Sequence, residues 1–109
     1  LELIESHPDF SLNMALISSS YHGYTRFVHH FISKGANPHT NHDQSITLAA
    51  GQGHLSIVKY LIKMGCGIGG LVVVGTGFSR ADGAIGAAYR KKQKKVLAYL
   101  LSKKVEFTQ

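Results

Sequence analysis

The chain has 109 residues, 44% of them hydrophobic and 17% charged, and a formal net charge of +6. That length supplies one modest core and not two independent ones. A single cysteine excludes an internal disulfide framework and fits a reducing compartment, and no apolar run nears the roughly 18 to 20 residues that cross a bilayer, so no membrane span is expected.

The charge is localised. Residues 1 to 79 set Arg26, Lys34, Lys59 and Lys63 against Glu2, Glu5, Asp9 and Asp43, so the basic excess lies between Arg80 and Lys104. Leu1-Glu2-Leu3-Ile4 reads as the tail of a helix already under way, ended near Pro8 because proline disfavours helical geometry in the residue before it. The chain is therefore expected to be a monomeric piece of a longer protein. No charged, apolar, small-residue leader opens it.

Met14 to Ser20 predicts a first helix, Gly23 a corner and Thr25 to Lys34 a second helix, closed by Gly35-Ala36-Asn37-Pro38. The central stretch Ile46 to Cys66 repeats this plan more clearly. Small residues at Ala49 and Ala50 allow close helix packing, Gly53 can take the left-handed conformation that ends a helix, and Leu55, Ile57, Val58, Leu61 and Ile62 share one helical face. An offset of 30 lays Gly53 on Gly23, Val58 on Val28, Leu61 on Phe31 and Gly65 on Gly35. With an offset of 39, Ile85, Ala88, Val96 and Leu100 fall on Ile46, Ala49, Ile57 and Leu61. In that third unit Lys92 replaces the corner glycine and Gln93 replaces His54, so either a lysine occupies a strained corner or the helices join differently. The spare residues fall in Gly67 to Gly83, where Leu71 to Val74 suits a strand and Gly75-Thr76-Gly77 a turn, which predicts an extended hairpin.

The run LAAGQGHLSIVKYLIKMGC, with Leu48, Ala49, Ala50, Gly53, His54, Ile57, Val58, Leu61, Ile62 and Gly65 in register, closely resembles the ankyrin repeat pattern. The resemblance implies an all-α solenoid of stacked helix-turn-helix units with hairpin finger loops. The units are a partial repeat over 1–10 and repeats over 11–40, 41–70 and 71–109. A spacing of 30, three short of that family's 33, predicts a cut-down hairpin finger from His39 to Asp43. The family's Thr-Pro-Leu-His opening survives only at its apolar third position, so weaker hydrogen bonding between units is expected.

Several chemical motifs compete with this reading. Val72 to Arg80 resembles the start of a dinucleotide fingerprint, but Arg80 stands at the last glycine and no second strand and acidic residue follow. Gly65 to Gly70 matches the same letters after a helix, where the motif needs a strand. His29, His30, His39 and His42 are the densest histidines, yet no thiolate lies near them and no carboxylate except Asp43, so no metal or other cofactor is expected. Ser18-Ser19-Ser20 with His22 holds the letters of a nucleophile and base, but Ser19 and Ser20 fall on the paired alanines of the next unit, where small size matters. The basic run Arg90-Lys91-Lys92-Gln93-Lys94-Lys95 has the letters of a nuclear-import signal, or a solvated helix face; no aromatics interleave with it as a nucleic-acid platform requires.

The resemblance implies noncatalytic recognition of a protein partner on the concave face. Carried over by position, the contact residues are Asn13, Tyr21 and His22, then Asp43, Gly51 and Gln52, then Arg90 and Lys91. The fingers add His39, Asn41, Val72, Val74 and Phe78. Tyr21 and Phe78 are the expected aromatic anchors, and Arg90 with Lys91 implies an acidic partner rather than nucleic acid. The alternatives are a docking or regulatory arm of a larger enzyme or secreted effector, and a nuclear or nucleic-acid-associated role through residues 90–95. The expected location is intracellular, cytoplasmic or nuclear, or a host cytosol for a secreted effector.

Overall fold

A computed structural model describes residues 11–74 and 78–108. In chain order they form α1 (Leu12–His22), α2 (Thr25–Ser33), α3 (Thr40–Gly51), α4 (Leu55–Lys63), β1 (Gly70–Val74), β2 (Phe78–Asp82), α5 (Gly83–Arg90) and α6 (Lys94–Thr108). The body is helical, and none of these helices is long and apolar enough to cross a membrane. The partial repeat expected over 1–10 lies outside the described residues.

Consecutive helices pair as α1 with α2, α3 with α4 and α5 with α6. The first helices stack in the order α1, α3, α5, and the second helices in the order α2, α4, α6. The apolar positions explain this. Leu16, Ile46 and Ile85 occupy one position of the repeated pattern and Phe31, Leu61 and Leu100 another; all six are buried in one continuous cluster. Ser19, Ala49 and Ala88 are buried too, small enough to let the first helices approach closely.

The corners repeat as well. Gly23 and Gly53 have φ of 82° and 80°, and the amides after them, of Tyr24 and His54, donate to Ser19 O and Ala49 O at 2.9 Å. Lys92 takes φ 59° in the third corner, and the Gln93 amide donates to Ala88 O at 2.9 Å. Of the two ways the third unit can turn, the chain uses the strained lysine.

Between α2 and the regular part of α3 the expectation of a short hairpin finger is corrected. Asn41, His42 and Asp43 each have φ between 56° and 59°, a left-handed turn from which right-handed helix starts at Gln44. The connection is too short for paired strands, and a single tight turn makes it. Asparagine, histidine and aspartate are the side chains that tolerate this region best. The long finger is a hairpin: β1 and β2 pair antiparallel, Gly70 opposite Asp82 and Val74 opposite Phe78. Its base is tied to the body by the Ile85 amide, which donates to Ile68 O at 2.9 Å.

Candidate functional site

The exposed edge of the first helices forms one surface. Met14, Ser18, Tyr21 and His22 of α1 are exposed, and a shallow pocket of about 200 Å3 between α3 and α5 is lined by Thr47, Leu48, Gly51, Gln52, Ala87, Arg90 and Lys91. Gln52 of the second unit and Arg90 with Lys91 of the third, assigned from the resemblance to two separate places in the sequence, are thus brought to one pocket. Tyr21 and His22 hold the corresponding place in the first unit. Tyr21 is 42% exposed and its ring meets His22 edge-on at 5.0 Å; His22 stacks on Tyr24 at 5.5 Å, and Tyr24 meets Phe27 at 5.9 Å.

Tyr24 and Phe27, 54% and 40% exposed, were not singled out by sequence reasoning. The signal was available. Phe27 falls on Ile57 and Val96, which are buried in the units that follow another unit.

Two of the assigned residues have structural work in addition. Asn13 Oδ1 accepts the Asn37 amide at 2.7 Å, and Asp43 Oδ2 accepts the Gly67 amide at 3.1 Å. These bonds are equivalent at an offset of 30, and each ties a first helix to the loop that follows its unit. Asn41 Nδ2 donates to Gln44 Oε1 at 2.9 Å. Val72, Val74 and Phe78 lie on the hairpin, where Val72 opposes Arg80; their side chains lie outside the described residues.

The basic run sits at the third corner. Arg90 ends α5, Lys91 and Lys92 make the turn, and Lys94 and Lys95 open α6, all five exposed. No acidic residue occupies the first turn of α6 to offset the positive helix terminus there. The dinucleotide resemblance at Val72 to Arg80 is resolved as two antiparallel strands where the motif needs a strand and then a helix. Ser20, buried, donates its hydroxyl to Leu16 O at 2.8 Å.

The histidine reading needs a correction. Folding brings a thiol to His39 and Asp43: ligand-type atoms of His39, Asp43 and Cys66 all lie within 4.8 Å of one another. His39 Nδ1 is 2.7 Å from Asp43 Oδ1, and the buried Cys66 Sγ–H donates to Pro38 O at 3.5 Å. Burial first, then the charge and hydrogen bond of Asp43, push the Cys66 thiol up from 9.0 to about 12. Sequence spacing hides this cluster because its parts come from the left-handed turn that opens α3 and the loop after α4.

No protein-family model matches this chain, and comparison with curated proteins finds no significant match.

Proposed function

We propose that the chain is an ankyrin-type repeat array that binds a protein partner, without catalysis, on the exposed edge of α1, α3 and α5 and the loops beside it. One observation carries the reading: contacts between units recur at the sequence offsets. His54 Nε2 lies 2.9 Å from Tyr21 O, and Gln93 Nε2 donates to Gly51 O at 3.1 Å. Tyr21 and Gly51 are equivalent at an offset of 30, and His54 and Gln93 at 39. The outer helices repeat a contact too, with His29 against the Tyr60 ring at 3.8 Å and the Lys59 ammonium 5.2 Å from the Tyr99 ring centre. A framework fixed by recurrent contacts leaves the open-edge residues free to vary, which is how repeat arrays acquire partners.

The third unit makes the proposed partner acidic, because Arg90 and Lys91 border the same pocket as Gln52. Tyr21 is its aromatic anchor in the first unit. Affinity capture with the wild-type chain, Tyr21→Ala and the pair Arg90→Glu with Lys91→Glu tests this. A protein retained by wild type should be lost from both variants, and its association should slow as salt rises. Equal retention by all three, with unchanged circular dichroism, would place recognition elsewhere. Five exposed cations at one corner support a second reading, nucleic-acid binding or nuclear import. Changing Lys92, Lys94 and Lys95 to Gln should then abolish RNA binding or nuclear accumulation while leaving protein capture intact.

A further inference from the structure

We propose that His39, Asp43 and Cys66 form a binding site for a divalent transition-metal ion, of which zinc is the representative, at the loop joining the first and second units. His39 and Asp43, which the resemblance places among the partner contacts, sit at the left-handed turn that opens α3, and Cys66 in the loop after α4; the pocket between α3 and α5 is lined by other residues.

Internal repetition supplies the strongest argument. In the first unit the same node is built from Asn13, which accepts the Asn37 amide, and the buried Ala36. In the second unit the equivalent positions are Asp43, which accepts the Gly67 amide, and Cys66. Asparagine and alanine therefore hold the loop amide and fill the space at these two positions without a carboxylate or a thiol. The second unit replaces them with a carboxylate and a thiol and sets an imidazole beside the carboxylate, 2.7 Å away.

The backbone holds the three in place from both sides. His39 follows a turn in which its amide donates to Asn37 Oδ1 at 2.9 Å, and the left-handed residues 41 to 43 bring Asp43 back over it. Cys66 is fixed by its amide, which donates to Leu61 O at 3.0 Å where α4 ends. The Asp43 carboxylate has one oxygen toward His39 and the other on the Gly67 amide, so its orientation is set.

The donor set selects the metal. One sulfur, one imidazole nitrogen and one carboxylate oxygen suit zinc or cobalt, whereas magnesium and calcium want an all-oxygen shell. Bonds of about 2.0 to 2.3 Å in a tetrahedron put ligand atoms roughly 3.5 Å apart. With ligand atoms no more than 4.8 Å apart, the wider separations must close by about an ångström. The His39 Nδ1–Asp43 Oδ1 pair, at 2.7 Å, opens as its hydrogen bond gives way to the metal; the half-exposed His39 side chain can make that adjustment. On binding, the Cys66 S–H bond breaks, its proton leaves to water, and the electron pair forms the S–metal bond. A thiolate and a carboxylate together neutralise the dication, and water completes the fourth position.

The test titrates the 109-residue chain with cobalt(II) and, separately, zinc(II). Wild type should bind one equivalent of cobalt with a near-ultraviolet thiolate-to-cobalt charge-transfer band, and zinc should abolish the band and raise Tm. Cys66→Ala and Asp43→Asn install the residues the first unit already uses, so both variants should keep the wild-type circular dichroism. Cys66→Ala should lose the band, and Asp43→Asn and His39→Ala should each weaken zinc binding at least tenfold. Absence of the band in wild type, or one-equivalent zinc binding unchanged in Cys66→Ala and Asp43→Asn, would overturn the proposal.

Discussion

At the scale of single residues, departures from the repeated pattern mark where the chain carries strain. Ser45 is fully buried and its hydroxyl finds no hydrogen-bond partner among the described residues, while Ala15 and Ala84 occupy the equivalent positions. Leaving a buried hydroxyl unsatisfied costs about 1 to 3 kcal/mol, so Ser45→Ala should stabilise the chain by about 1 kcal/mol in urea unfolding. A loss of stability would mean the hydroxyl has a partner. Lys92 is held at φ 59° where two glycines serve the other corners. Lys92→Gly should relieve about 1 kcal/mol and raise Tm by several degrees, whereas Lys92→Ala, which keeps a Cβ, should not. For Cys66 the sign runs as follows. Its folded pKa, about 12, lies above the ordinary 9.0, so the neutral thiol is favoured by folding. Any advantage of wild type over Cys66→Ala is full below about pH 9 and falls as pH rises toward 12. A thiol reagent at pH 8 should accordingly label the native protein slowly and the urea-unfolded chain at once.

At the scale of elements, the side chain after each corner links one helical pair to the previous one. His54 reaches Tyr21 O and Gln93 reaches Gly51 O, so imidazole and carboxamide are interchangeable at this contact. Added Cβ atoms on Gly23 and Gly53 would stand 2.6 Å from those same His54 and Gln93 side chains. Each corner glycine thus permits both the turn and the seat of the next unit. His54→Ala should cost about 1 kcal/mol or more, and His54→Gln should recover most of it in chemical denaturation. Equal losses would show that the ring's packing, and not its hydrogen bond, matters there.

For the whole molecule, stability is expected to be distributed as in a short linear array, where each unit rests on its neighbours. Leu61 lies in the middle unit and Leu100 in the last, both fully buried. Truncating either to alanine should cost about 2 to 5 kcal/mol. Hydrogen exchange should separate them: Leu61→Ala should lower protection throughout, and Leu100→Ala chiefly in α5 and α6. Uniform loss from both would identify a single cooperative globule.

Much of the helical plan was legible in the chain itself. Apolar residues at helical spacing, small residues before each corner and glycine at Gly23, Gly53 and Gly65 define helix, turn and helix through local physics. The offsets of 30 and 39 then place Phe31, Leu61 and Leu100 at one repeated position. Nothing local distinguishes the left-handed turn at Asn41 to Asp43 from a short finger, since both satisfy the same few polar residues; the shortened connection between α2 and α3 decided it. Nor does spacing reveal that Cys66 meets His39 and Asp43, or that Asn13 and Asp43 hold loop amides. Those contacts exist only once the pairs have stacked, because stacking brings together the loops that begin and end a unit, whose separation along the chain carries no periodic signal.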